Sequence, residues 1–372
     1  MPPSRRALLA FPWIPLLAQE KAREKARERA VDKPPAAGVE WRKYPDPSTE
    51  FEVIRLTDPE HESALPAPPA RSIDRRSRNL LFSASRGNGW QPWLMDLGNG
   101  QQRPLGVFEG FEPDSLTLSG DDREAWFSDG AALAALQVSN GRHRELARLR
   151  EGWKRRGALA PTEDGTHLFY IEERGGQCEL RRLRASTGAP QTVARQAGAI
   201  LETAPNPKRA TLLWRTETGE LWVCAFDGTG KRRVQTPAGW VLEARWSPDG
   251  QSLLYLLAPE EKGSLAAIRE QGLDSLEDQL VARTSQFASF EANANASVFV
   301  GASRSLASPM VLVLLRATRR EFTLCEHRSG EPARVQPRFT PNSQRVLFQS
   351  DRHGKSAIYM LNVEKLIEKT SS

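Results

Sequence analysis

The sequence has few of the residues that build metal, redox or disulfide sites. Its 372 residues include three cysteines and five histidines. Cys178, Cys224 and Cys325 lie far apart and form no C-x-x-C pair, and only Cys325 has a histidine close by, His327. This spacing excludes the usual zinc-binding and thiol-redox motifs. We expect the three cysteines to be buried as small apolar residues.

Several enzyme motifs are missing too. No Gly-x-Ser-x-Gly sequence occurs, which excludes the usual serine-hydrolase elbow. Phosphate-binding loops and dinucleotide fingerprints are also absent, and Gly87-Asn88-Gly89 is expected to form a hairpin turn. A glycosidase would need two converging carboxylates. Glu243 and Glu291 are the best candidates for that alternative, with Glu217 or Glu202 as possible additions.

Charge of one sign is not concentrated anywhere in the chain. The 52 lysines and arginines exceed the 46 acidic residues only slightly, giving a net charge of +6 with both signs mixed. Nucleic-acid binding usually requires a clustered basic patch. We therefore expect no nucleic-acid partner, whereas an acidic small ligand is compatible with this composition.

No apolar run is long enough to span a membrane, so we expect no membrane span. Arg5-Arg6 precedes a short apolar stretch, residues 7–18, which resembles a twin-arginine export signal. We predict a signal peptide at 1–19 and a periplasmic or secreted protein; the alternative is a buried or disordered tail. Residues 20–50 are typical of a charged helical and proline-rich linker, and 369–372 of a tail.

An internal repeat fills residues 51–368 and predicts the fold. Short β-type runs recur at regular spacing between Asp, Asn and Gly turns, as in Asn79–Ser83, Glu124–Ser128 and Ser252–Leu257. Grouping them in fours predicts an all-β, seven-bladed β-propeller. The last repeat has only three strands. We expect the N-terminal strand Phe51–Leu56 to supply the fourth, closing the ring and covering a sheet edge.

The repeats resemble those of TolB-type (WD40-like) propellers and, over more of the chain, the oligogalacturonate lyase family. The shared features are Arg55-Leu56-Thr57 at the start, Trp153-Lys154 followed by Gly157, and the last blade from Phe339 to Tyr359. The resemblance implies a propeller that cleaves oligogalacturonides by β-elimination in pectin catabolism. It also implies a divalent metal in the channel, expected to be Mn²⁺.

The histidines that the family uses are replaced here. The resemblance places its Ser-His ligand near Ser289 and its His-Pro-His-Pro ligands on Arg334–Pro337, and its catalytic histidine corresponds to Glu243. None of these positions is a histidine. We therefore predict no metal cofactor, with Mn²⁺ expected only if lyase activity is retained.

The predicted site is an acidic-ligand site without metal. Glu243 is the candidate catalytic residue, and Arg334 is placed to hold a carboxylate. The other predicted substrate-binding residues are Gln336, Arg245, Trp153, Lys154, Ser289 and Arg215. In the alternative interpretation, Arg334, Gln336 and Arg338 only line a hydrated channel. Most of the ten tryptophans are expected to pack between blades, with Trp153 and Trp240 as the exceptions.

The sequence therefore predicts a monomeric propeller of the cell envelope that has lost the metal-dependent site of the family. Such a pseudoenzyme binds uronate-type oligosaccharide or a protein partner. One alternative is an active divergent lyase with Glu243 as base and Arg334 in place of the metal. Another is a TolB-like scaffold for protein interactions that has no small ligand.

Overall fold

Seven antiparallel sheets arranged in a ring make up the molecule, and the predicted seven-bladed β-propeller is confirmed. The computed structural model describes residues 41–261 and 263–368. The predicted signal peptide, most of the predicted linker and the predicted tail lie outside these residues.

Each blade runs from an innermost strand on the ring axis to an outer strand. Blade 1 contains β3 (Glu62–Ala64), β4 (Asn79–Ser85), β5 (Trp90–Asp96) and β6 (Gln102–Pro104). Blade 2 contains β7 (Thr117–Leu118), β8 (Glu124–Ser128), β9 (Ala132–Gln137) and β10 (His143–Arg148). Blade 3 contains β11 (Lys154–Pro161), β12 (His167–Arg174), β13 (Gln177–Arg184) and β14 (Pro190–Ala197). Blade 4 contains β15 (Ile200–Pro205), β16 (Thr211–Thr216), β17 (Leu221–Ala225) and β18 (Arg232–Arg233).

The remaining blades follow the same order. Blade 5 contains β19 (Trp240–Trp246), β20 (Ser252–Ala258), β21 (Ala267–Gly272) and β22 (Asp278–Arg283). Blade 6 contains β23 (Phe287–Ala292), β24 (Val298–Ser303), β25 (Met310–Leu315) and β26 (Arg320–Glu326). Blade 7 contains β27 (Arg338–Phe339), β28 (Arg345–Ser350), β29 (Ala357–Asn362), β2 (Glu52–Arg55) and β1 (Arg42–Pro45). Short 3-10 helices lie at Pro113–Ser115 and Pro332–Arg334, and an α-helix lies at Glu364–Glu368.

The two ends of the propeller meet in blade 7, as predicted. Strand β2 pairs antiparallel with β29 through Val53 and Leu361, so the N-terminal strand closes the ring. Strand β1 adds a fifth strand outside β2. This strand lies within the range 20–50 that the composition assigns to a linker, so the sheet begins earlier in the chain than residue 51.

Apolar side chains fill each of the seven interfaces between neighbouring blades. Alternation along the strands produces this arrangement because successive side chains of a strand point to opposite faces. On β28, Val346 and Phe348 pack with blade 6 side chains, whereas Leu347 packs with blade 1 side chains. All three are fully buried. The ring is therefore held together chiefly by burial of apolar surface between blades.

A short hydrogen bond explains the recurring Ser/Thr-x-Asp/Asn element of the repeats. The hydroxyl of Ser or Thr donates to the carboxylate or amide oxygen two residues later, which closes the turn after the innermost strand. The pairs are Ser119 with Asp121, Thr162 with Asp164, Ser247 with Asp249 and Thr340 with Asn342, at 2.5–2.7 Å. Side chains thus close these polar turns of the repeat.

The three cysteines are buried and free, which confirms their predicted role. Across the part of the chain that the structure describes, no helix has the length and apolar character needed to cross a membrane.

Candidate functional site

The innermost strands of blades 3 to 6 are each interrupted by a register shift close to their first residues. Such bulges redirect side chains and commonly border functional sites. In blade 3 the shift includes Gly157, whose positive φ of 66° suits glycine. The glycine of the Trp-Lys-x-x-Gly element therefore has a structural role in shaping the strand next to the channel.

Three glutamates each connect one blade to the next through the same kind of hydrogen bond. Each accepts a hydrogen bond from a backbone N–H on the innermost strand of the next blade. The pairs are Glu202 with Ala244 N at 3.2 Å, Glu243 with Phe290 N at 3.0 Å, and Glu291 with Phe339 N. The glutamates thus form a ladder around the axis from blade 4 to blade 7.

Two arginines neutralise the first glutamate of this ladder. Glu202 Oε1 lies 2.8 Å from Arg215 Nε, and Glu202 Oε2 lies 3.0 Å from Arg245 Nη1. Burial by itself raises the pKa of Glu202, but the charges of Arg245 and Arg215 outweigh it and hold the pKa below the usual range. Glu202 is therefore an ionised structural partner rather than a base.

Glu243, the predicted catalytic residue, lies in the same network. Its Oε2 atom is 3.4 Å from Arg245 Nη2. Burial raises the pKa of Glu243, and the negative charge of Glu202 adds to the effect, while Arg245 opposes it. The structure thus brings the predicted residues Glu243, Arg245 and Arg215 together. All three form ion pairs with one another or with Glu202.

A cavity of about 330 Å³ lies on the ring axis next to this network. One wall is the blade 1 insertion, residues 65–78, which connects β3 to β4. Arg71 of the insertion pairs with Asp122 of blade 2 at 2.8 Å, and Arg75 pairs with Glu163 of blade 3 at 3.1 Å. The opposite walls include Arg245 of blade 5, Glu291 of blade 6 and Arg338 of blade 7.

Arg338 is the cation of this cavity with the fewest partners. Its side chain is buried, with 4% of the residue exposed, and its Nη1 atom donates to Ser72 Oγ at 3.1 Å. Its Nε and Nη2 atoms are buried and have no hydrogen-bond partner within residues 41–261 and 263–368. A buried guanidinium with two free donor atoms is costly, and a carboxylate is the group best shaped to satisfy it.

Glu291 is the least restrained glutamate of the ladder. It lines the cavity with Arg338, and a hydrogen bond from Phe339 N favours its ionised form. Burial raises the pKa of Glu291 to about 7, further than the charges of Arg338 and Arg245 lower it. A carboxyl group that titrates near neutral pH in a cavity is a candidate for proton transfer or ligand binding.

The structure keeps Arg334 and Gln336 away from the cavity lining. Arg334 belongs to the 3-10 helix Pro332–Arg334, is 73% exposed, and forms an ion pair of 2.7 Å with Glu331. Gln336 is half-buried and has a positive φ of 41° that turns the chain into β27. The arginine of this segment that lines the cavity is instead Arg338. Its place beside Phe339, on the innermost strand β27, is the sequence signal for this position.

The other predicted binding residues are divided between the surface and the interior. Lys154 is exposed, and Trp153 is half-buried under the guanidinium of Arg150, 3.8 Å from its ring centroid. Ser289 is buried, and its hydroxyl has no hydrogen-bond partner among the described residues. None of the three lines the axial cavity. Trp240 is 47% exposed, consistent with its exclusion from the packing tryptophans.

The fold and the channel define a seven-bladed propeller with an axial cluster of arginine and glutamate. No protein-family model matches the chain. The oligogalacturonide lyase of Pectobacterium atrosepticum is 21% identical over 370 residues, covering 86% of this chain and 95% of that protein. This match confirms the resemblance in sequence to oligogalacturonate lyases.

Solved structures give the same result for the fold. An oligogalacturonate lyase in complex with manganese superposes with a TM-score of 0.82 at 23% identity, covering 89% of this chain and 98% of that one. TolB from Acinetobacter baumannii has a TM-score of 0.50 at 15% identity and covers 67% of this chain and 64% of its own. The lyase is thus the better structural match over nearly the whole propeller.

The residues of this channel do not fit a manganese site. Among residues 41–261 and 263–368, no group of three or more His, Cys, Asp and Glu side chains is arranged to hold a metal ion. Two of the axial glutamates, Glu202 and Glu243, are already paired with Arg245, whose positive charge opposes binding of a cation. The prediction that the protein uses no metal stays a prediction.

Proposed function

We propose that this chain binds an acidic, uronate-type oligosaccharide in its channel without metal and is not a metal-dependent lyase. The observation that carries the proposal is Arg338, a buried arginine that lines the cavity and has two donor atoms without a hydrogen-bond partner among the described residues. A guanidinium recognises a carboxylate through two parallel hydrogen bonds. The similarity to proteins named as oligogalacturonide lyases supports a uronate as the source of that carboxylate.

The test compares two arginines that differ in burial. Arg338→Gln removes the buried cation, and Arg334→Gln removes an exposed one, so the two variants separate the structural assignment from the sequence-based one. In calorimetry, Arg338→Gln should bind digalacturonate with an affinity lower by about tenfold or more. The reason is that a hydrogen bond to a charged group contributes about 1.5–3 kcal/mol to binding. Arg334→Gln should bind like the wild type.

Activity and metal content are measured on the same preparation. We expect no stoichiometric metal and no rise in the absorbance of an unsaturated uronide on adding Mn²⁺. Bound metal together with turnover would show that the protein is a metal-dependent lyase and would contradict the proposal. If neither binding nor turnover is detected, the remaining explanation is a scaffold that recognises a protein partner.

A second candidate function is a metal-independent β-elimination, favoured by Glu291. Elimination needs a base to take the proton next to the uronate carboxylate and a positive charge to stabilise the resulting anion. Glu291 and Arg338 line one cavity, and the pKa of Glu291 is raised to about 7. Turnover without metal that disappears in Glu291→Gln is the result that this candidate requires. Glu243→Gln serves as the comparison, because Glu243 is the base that the sequence suggests.

We propose in addition that the chain is exported to the cell envelope. The support is the sequence of residues 1–19, where two arginines precede an apolar stretch. Fusion of these residues to a reporter that is active only after export tests this directly. A reporter that stays inactive would contradict export.

A further inference from the structure

Two groups of opposite charge share the axial cavity without forming an ion pair. Glu291 and Arg338 both line it, yet no carboxylate among the described residues lies within 4.0 Å of the Arg338 guanidinium. Two donor atoms of Arg338, Nε and Nη2, have no partner among the described residues, so a third group is needed to satisfy them. A carboxylate entering the cavity is such a group, and it would add a second negative charge beside Glu291.

The charged groups that act on Glu291 or share its cavity come from blades 1, 3, 5 and 7. Arg245 from blade 5 and Arg338 from blade 7 favour its ionised form, while Glu243 from blade 5 disfavours it. Across the cavity, Arg71 and Arg75 belong to the blade 1 insertion and Glu163 to blade 3. These last three groups are engaged in ion pairs on that side: Arg71 with Asp122, and Arg75 with Glu163.

We infer that the axial cavity is a proton-coupled site for a single carboxylate, in which the ligand binds at the free side of Arg338 while Glu291 takes up one proton. This inference rests on the proposed function and specifies its ligand class and its regulation. The cavity volume of about 330 Å³ lies at the lower end of the range for small-molecule sites. It suits one carboxylate-bearing ring of such an oligosaccharide.

The coupling follows from electrostatics. Two carboxylates in one partly desolvated cavity cannot both stay ionised at low cost, so the second charge raises the pKa of the first. Burial already raises the pKa of Glu291 to about 7. At pH 8 the free protein holds Glu291 ionised and must gain a proton on binding. At pH 6 Glu291 is largely protonated beforehand, so binding needs little further uptake.

Affinity should therefore increase as the pH falls. When binding takes up one full proton, affinity changes by about tenfold per pH unit. The change is steepest above pH 7 and levels off below it, because the free protein is then already protonated. Protonated Glu291 can keep its hydrogen bond from Phe339 N through its carbonyl oxygen, so the ladder between blades 6 and 7 is not broken.

The experiment is calorimetry of the full chain with galacturonate, with galactose as the uncharged control. Titrations at pH 6, 7 and 8 are each run in two phosphate-free buffers that are effective at that pH and differ in protonation enthalpy, which reports the protons exchanged. We expect uptake of about one proton at pH 8 and much less at pH 6. Galactose should not bind measurably, since it lacks the carboxylate.

Matched glutamine variants locate the proton. Glu291→Gln should bind with little pH dependence and without proton uptake, whereas Glu52→Gln should keep both. Glu52→Gln, on the outer strand β2 with a 59% exposed side chain, is the control for loss of a glutamate elsewhere. If Glu291→Gln does not fold, the proton uptake of the wild type at pH 6, 7 and 8 still tests whether binding is coupled to a proton.

The outcomes separate this inference from the proposed function. Binding of galacturonate without proton uptake at pH 8, or uptake that persists in Glu291→Gln, overturns the inference and leaves the proposed function intact. Absence of galacturonate binding at every pH overturns the inference. If digalacturonate is not bound either, the proposed function fails with it.

Discussion

Arg245 of blade 5 lies 3.0 Å from Glu202 of blade 4, through its Nη1 atom and the Oε2 atom of the glutamate. The same glutamate holds Arg215 at 2.8 Å and accepts from Ala244 N. One side chain thus satisfies two cations and a backbone donor at the axis. Glu202 therefore both neutralises two arginines and connects blade 4 to blade 5 at the channel.

Replacing this glutamate should destabilise the propeller. Glu202→Gln leaves Arg215 and Arg245 without their shared counter-charge in a largely buried site, which costs about 3 kcal/mol in the free energy of unfolding. Glu52→Gln breaks the exposed pair with Lys43 and should cost less than about 1 kcal/mol. Urea denaturation at pH 7 measures both. Equal losses in the two variants would show that the axial network is not a stabilising feature.

The pH dependence of this difference checks its electrostatic origin. The folded-state pKa of Glu202 is lowered, so its contribution to stability is present above the ordinary value of 4.5 and is lost as the pH falls through the folded value. The gap between wild type and Glu202→Gln should therefore be widest near pH 7 and shrink on acidification. A gap that does not change down to the lowest pH at which the wild type stays folded would point to lost packing instead.

The cysteines should not react while the protein is folded. Cys178, Cys224 and Cys325 are buried, and burial raises the pKa of Cys224 to about 11 and that of Cys325 further. Only the thiolate reacts with a disulfide reagent. We expect negligible labelling at pH 8 in buffer and three thiols per chain after denaturation. Rapid labelling of the native protein would contradict the burial of these residues.

Patterns that depend on local spacing could be predicted from the sequence. The regular spacing of short strands, the Asp, Asn and Gly turns between them and a last repeat of only three strands together predict seven blades and closure by the N-terminal strand. Strand β1 was not anticipated because Arg42–Pro45 has no apolar alternation; its place is set by pairing with Glu52–Arg55.

The site was harder to predict because it depends on side chains from four blades and one insertion. Arg334 occupies the position where the resemblance places metal ligands, but the 3-10 helix and Glu331 hold it at the surface. Arg338 lies four residues later and is buried. The glutamate ladder depends on bulges near the start of the strands, and neither bulges nor the path of residues 65–78 can be deduced from composition.

Closure of the ring by β2 provides a direct test of the fold. Val53 of this strand is fully buried and packs in the apolar cluster between blades 6 and 7, whereas Val107 is 70% exposed. Replacing each valine by alanine therefore compares the same substitution at a buried and at an exposed position. Val53→Ala should lower the free energy of unfolding by about 2 kcal/mol, because it removes two buried methyl groups and leaves a cavity. Val107→Ala should change it by less than about 0.5 kcal/mol. If urea denaturation gave the two variants equal stability, strand β2 would not be the element that closes the propeller.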